Sequence, residues 1–330
     1  MKTALKSAIW PWAAALVVLT GGVYATSFKG VFIYDDLSVM CNNLALRDWS
    51  HVDQILGAFY GRPVISVSFA IDYALFGSHP FGYHVVNLIA HLIAALSLFG
   101  IARRTLKNTP MAFTTALIWA LHPLQTEAVT YIIQRCECMM GMFFLLSMYC
   151  VVRGAELERK TFWHGGAILA AALAAGCKQS AVVLPVVVVL YDRCFISGSF
   201  AAAMKRAPML FAGLFASWFI LYLSMALSTD KKLMSAGFGL EQLTAFSYAR
   251  SQCVVIIHYL RLAMWPVGQC FDYTWPIEND FARIVPCALA RVRRCRGVRS
   301  RFRVSGGLLR LRHGARRSAP RSPRRGPRDR

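Results

Sequence analysis

The strongest constraint in this chain is a series of apolar stretches, several nearing the roughly 20 residues that a helix needs to cross a bilayer. In lipid a segment must satisfy its own backbone N–H and C=O groups, so such stretches demand helices. The expected fold is all-α, a polytopic transmembrane helical bundle. Composition agrees: 56% of the 330 residues are hydrophobic and 16% charged, against about 25% charged in soluble domains. A single soluble domain is excluded.

The apolar runs are Ala8–Ala25, Tyr83–Ala102, a third from Met111 to the break at His122-Pro123, Met139–Val152, Phe162–Cys177, Ser180–Tyr191 and Pro208–Leu227. Val23-Tyr24-Ala25 has the look of a signal-peptide cleavage site, but the further spans favour a retained helix. Lys2/Lys6, Arg103/Arg104/Lys107, Arg153/Arg159/Lys160 and Arg193/Lys205/Arg206 fall on alternate loops. The positive-inside rule then puts the N-terminus and these loops on the cytoplasmic side. Residues 27–82, His122–Glu127, Lys178 and 228–250 face outward. The first outward loop is too long for a mere connector, and His51–Tyr60 and Val64–Phe76 suit helices lying along the membrane surface. Cys253–Trp265 reads equally as a short span or an interfacial helix.

The net charge of +21 is concentrated in residues 291–330, which hold 16 Arg and one acid, Asp329. That segment has no apolar periodicity and is expected to be disordered. Its abrupt composition suggests an out-of-frame read that replaces the natural C-terminal part. A polybasic, lipid-binding tail and a nucleic-acid-binding arm are the alternatives. The division is therefore 1–290, a membrane domain incomplete at its C-terminus, and 291–330, an Arg-rich tail. None of the ten cysteines forms a C-x-x-C pair, so they read as small hydrophobes.

Polar residues at the outward boundary carry the chemistry. Asp35 and Asp36 adjoin each other about ten residues after the first span. Like charge and partial burial are expected to raise one pKa, which suits general-base work or cation binding. A solvated turn is the bland alternative. His84, Asn87 and His91 share one helical face, for a polar site or for hydrogen bonds between helices. His122 and Glu127 flank a break where backbone lines a cavity. Arg62, Arg135 and Lys178 together suit a phosphate or pyrophosphate group.

Phe32-Ile33-Tyr34-Asp35-Asp36, then Arg62-Pro63, Gly82-Tyr83-His84 with Asn87 and His91, His122-Pro123 with Glu127, Arg135 and Gly176-Cys177-Lys178 follow one order. That order resembles the GT-C membrane glycosyltransferases, in the O-mannosyltransferase-like branch that carries tetratricopeptide repeats after its membrane domain. Trp265-Pro266 and Asp272-Tyr273-Thr274-Trp275-Pro276 also resemble it, and the likeness covers about residues 8–286. The resemblance implies transfer of mannose or another hexose, with inversion, from a polyprenyl- or dolichyl-phosphate sugar. The acceptor hydroxyl belongs to a protein, Ser or Thr, or to a glycan, and the reaction runs on the non-cytoplasmic face. Asp35 then matches the base, Asp36 orients it or the acceptor, and the cations stabilise the departing lipid phosphate. His84, Asn87, His91, His122 and Glu127 are supporting residues. No cofactor is required; a divalent cation remains possible, with no complete ligand set in view. No nucleic-acid partner is expected. The membrane is the bacterial inner membrane or, in a eukaryote, the endoplasmic reticulum. The branch commonly has Lys-Glu where this chain has Lys178-Gln179. A transporter and a non-catalytic membrane protein are the competing readings.

Overall fold

A computed structural model describes residues 9–59, 61–157, 160–226 and 244–273. Every element among the described residues is helical. In chain order the helices are α1 (Ile9–Tyr24), α2 (Val52–Gly57), α3 (Pro63–Phe76), α4 (Pro80–Leu106), α5 (Thr109–Leu121), α6 (Gln125–Thr130), α7 (Arg135–Glu156), α8 (Lys160–Cys177), α9 (Leu184–Tyr191), α10 (Phe200–Arg206), α11 (Pro208–Ala226) and α12 (Ala245–Met264). Single turns at Asp36–Cys41, Leu44–Arg47, Ile132–Gln134 and Gln179–Val183 carry the chain between them.

Four helical stretches are long and apolar enough to cross a bilayer: Ile9–Lys29, Pro80–Leu106, Ile132–Glu156 and Gln179–Ser197. This makes the chain a multi-pass helical membrane protein. The expected third and fifth spans are the 13-residue α5 and the 18-residue α8, which fall outside that set. The expected seventh span, α11, follows α10 across a 97° bend. The span at Met139–Val152 is longer than its apolar run, because Arg135 and Glu137 lie in the same helix and are paired there. The two helices expected in the first loop are present as α2 and α3.

Local sequence sets the helix starts. Proline opens α3 and α4, where its missing N–H costs nothing. Asn108 caps α5 by accepting the Met111 N–H at 3.0 Å. The core of the bundle is α7 packed between α4 and α8. The α8 face is built of Ala167, Ala170, Ala171, Ala174 and Ala175, which lets the backbones approach closely. Ser147 donates to the Ala167 carbonyl across that interface at 2.8 Å.

The two ends of this bundle differ. At one end α4 begins, the first loop folds over α3, and α8 ends near Lys178. About 40 Å along α4, Thr105 meets the Tyr191 hydroxyl at 2.5 Å, and Arg104 pairs with Glu156 at 2.9 Å. There Arg206 also pairs with the buried Asp192. Three of the basic loops expected on one side do converge at this end. The described residues 244–273 belong to a second unit, in which α12 is capped by Thr244. The Arg-rich tail lies outside the described residues.

Candidate active site

The two adjacent acids have opposite environments. Asp36 is fully buried, and each of its oxygens accepts a backbone N–H: Ile33 at 3.0 Å and Ile133 at 2.8 Å. Burial raises its carboxyl above the ordinary range, against the lowering effect of those two bonds. Asp35 is exposed, and its own N–H donates to the Tyr131 hydroxyl at 3.0 Å. Tyr34, just before the pair, sits at φ +45°, a conformation costly for a side chain of that size. This kink turns one carboxylate inward and leaves the other at the surface. The expected raised pKa therefore belongs to the acid that braces the loop. Of the two acids expected to be catalytic, the structure leaves the Asp35 carboxylate exposed and encloses that of Asp36.

Arg135, expected to bind phosphate, is also turned inward. It is fully buried, ion-paired to Asp72 at 2.5 Å, and donates to Asn87 Oδ1 at 2.7 Å and to the Tyr83 carbonyl at 2.9 Å. Its guanidinium also lies 4.4 Å from the Phe69 ring centroid. A group so enclosed ties α3, α4 and α7 together and is not available to an incoming phosphate. Lys178 is partly exposed and pairs with Glu137 of α7. The partner that Gln179 does not supply thus comes from another helix. Arg62, only partly buried as a residue, stands at the N-cap position of α3, and its Nε is buried without a hydrogen-bond partner among the described residues.

These groups gather because of one short strap, residues 131–137. Tyr131 takes the Asp35 N–H, Ile133 holds Asp36, Arg135 binds Asp72 and Asn87, and Glu137 reaches Lys178. Between them, Cys136 lies within electrostatic reach of both Lys178 and Arg62. One apolar cluster, including Phe59, Ile65, Phe69, Ile132, Cys136 and Cys177, backs the whole assembly. Gly176 is needed at the α8–α3 contact: a Cβ there would stand 2.6 Å from Val64 Cγ2. That close approach sets Pro63, at the start of α3, against the end of α8 that leads into Lys178.

The supporting residues divide. Asn87 is buried on Arg135, and His91 bonds the Ala120 carbonyl at 2.9 Å while stacking on Trp119. Both hold helices together, as the bland reading of that face expects. His84 is buried against Gly30, where a Cβ would stand 2.6 Å from Nε2. His122 ends α5, and its Nδ1 accepts the Leu124 N–H at 3.2 Å. Glu127 is exposed, accepts from Gln134 at 3.1 Å, and acts electrostatically on Tyr131. Asp72, Tyr131 and Glu137 escaped the sequence reading. The first and last carried a usable signal, an acid inside an apolar helix. Among the described residues no three His, Cys, Asp or Glu side chains converge to hold a metal ion, and both Asp36 oxygens already accept N–H groups.

Residues 62–223 match the family model described as dolichyl-phosphate-mannose-protein mannosyltransferase. Protein O-mannosyl-transferase TMTC1 of Mus musculus is 32% identical over 162 residues, 44% of this chain and 17% of that protein. Protein O-mannosyl-transferase TMTC2 of Homo sapiens is 28% identical over 189 residues, 52% of this chain and 22% of that protein. Protein O-mannosyl-transferase TMTC4 of Homo sapiens is 31% identical over 219 residues, 54% of this chain and 29% of that protein. The chain thus spans under a third of the length of these relatives. No solved structure matches it. The match over 62–223 takes in Arg62, the strap and Lys178, so the chain is similar to protein O-mannosyltransferases over the stretch that carries these residues.

Proposed function

We propose that this chain is the membrane part of a glycosyltransferase that moves mannose, or another hexose, from a polyprenyl- or dolichyl-phosphate sugar to a Ser or Thr hydroxyl of a protein. The observation that carries this reading is the strap, which holds exposed Asp35 at one end through Tyr131 and pairs with Lys178 at the other through Glu137. In the reaction the Asp35 carboxylate takes the acceptor O–H proton as the oxygen attacks the anomeric carbon. The bond from that carbon to the lipid phosphate breaks, inverting the centre. Negative charge develops on the phosphate, where the Arg62 guanidinium and the Lys178 ammonium stabilise it. Asp36 and Arg135 do no chemistry: they hold the loop and the strap in place. The reaction is placed on the non-cytoplasmic face, where a membrane-borne phosphate meets an exported acceptor.

The test is to supply membranes containing the full chain with mannose-labelled polyprenyl phosphate or with labelled nucleotide mannose, plus a Ser/Thr-rich peptide. Label entering the peptide from the lipid donor, with lipid phosphate released in equal amount, supports the proposal. Transfer from the nucleotide sugar alone contradicts it.

A further inference from the structure

At the end of the bundle away from Asp35, an open groove of about 450 Å³ runs between α1, α4 and α7. Small-molecule sites span roughly 300–1,000 Å³, so the volume suits part of a ligand of lipid size. Its walls are Trp10, Ala13, Ile93, Leu96 and Leu146, and Arg103 and Arg104 close one end. From Ile93 to Arg104 the α4 backbone rises about 16 Å, so the apolar floor is long and its charge lies wholly at one end.

The two arginines are not equivalent. Arg104 is fully engaged: it pairs with Glu156 at 2.9 Å, donates to the Gly100 carbonyl at 2.8 Å and lies 5.1 Å from the Tyr149 ring centroid. Arg103 is half-buried, and its guanidinium has no ion pair or hydrogen bond among the described residues. Arg104 and Arg153 act on it as like charges, and Glu156, already held by Arg104, opposes them. A half-buried guanidinium at a helix end, in positive surroundings and above an apolar groove, lacks an anion.

We infer that this groove binds an anionic glycerophospholipid of the bilayer, its phosphate on Arg103 and one acyl chain along α4 between α1 and α7. A basic pocket between membrane helices at the headgroup level has this chemistry. The lipid fills a groove that the described side chains leave open and neutralises Arg103. The site is separate from the Asp35 end and does not depend on the transfer reaction.

The test uses the full chain, purified in a mild detergent and examined by native mass spectrometry after addition of phosphatidylglycerol, phosphatidylcholine or polyprenyl phosphate. The wild type is expected to retain one phosphatidylglycerol about tenfold better than phosphatidylcholine, the scale of one charge-assisted contact. Arg103→Gln removes that preference, Arg103→Lys keeps most of it, and Leu96→Trp weakens retention by filling the groove while leaving the charge. Equal retention of the two phospholipids by the wild type overturns the proposal, and so does unchanged preference in Arg103→Gln. Preferential retention of polyprenyl phosphate overturns the assignment to a bilayer phospholipid. The wild-type comparison decides even where a variant does not fold.

Discussion

Asp35 and Asp36 are neighbours with the same side chain, and backbone direction alone separates their roles. Tyr34 in the left-handed region turns Asp36 into the protein, where two backbone N–H groups fix it. Asp36→Asn keeps the size but sets an amide donor against an N–H, so it should cost about 1–3 kcal/mol, read as a lowered unfolding temperature. That cost should depend on pH. The Asp36 pKa is raised in the folded state, chiefly by burial, so its contribution is full below the ordinary carboxylate range and is lost as pH rises through the raised value. The unfolding-temperature gap between wild type and Asp36→Asn should therefore be wider at pH 4 than at pH 7. The sequence shows two adjacent acids at a membrane boundary, and that much was legible. Which of them turns inward depends on Ile133, about a hundred residues away, and no local spacing carries that.

Among the elements, the strap 131–137 and the α3–α8 contact decide whether the site exists. The break at His122-Pro123 and the Arg62-Pro63 helix start were readable, because proline dictates both. The burial of Arg135 was not, since its partner Asp72 sits on a helix that pattern alone assigns to the membrane surface. Arg135→Ala should leave Asp72 buried and unpaired, at a cost of about 3–5 kcal/mol, seen as poor recovery of folded protein. Combining it with Asp72→Ala should restore part of that loss, because the stranded charge goes with it. At the other contact, Gly176→Ala places a methyl 2.6 Å from Val64 Cγ2. It should destabilise by about 1–3 kcal/mol and reduce transfer, and Val64→Ala should relieve both.

For the whole molecule, the separation of the Asp35 end from the Thr105–Tyr191 end makes a sided prediction. Cys41 lies in the turn after Asp35, and the exposed Cys194 follows Asp192 at the opposite end. In a variant keeping only these two cysteines, an impermeant maleimide on sealed vesicles should reach Cys194 from the N-terminal side and Cys41 from the other. Labelling of both from one side contradicts a bundle that crosses the membrane with its site at one face. The alternation of basic loops already pointed to this arrangement. What sequence could not supply was the link that the strap makes, because Tyr131 holds Asp35 and Glu137 holds Lys178 across separate elements.

The most direct test of the account is sugar transfer from the lipid-phosphate donor by the wild type and by Asp35→Asn, with unfolding temperatures measured on the same preparations. The account predicts that Asp35→Asn lowers transfer by roughly 10² to 10⁴, the scale of a general base, while its unfolding temperature stays at the wild-type value. Transfer at the wild-type rate by Asp35→Asn would contradict it.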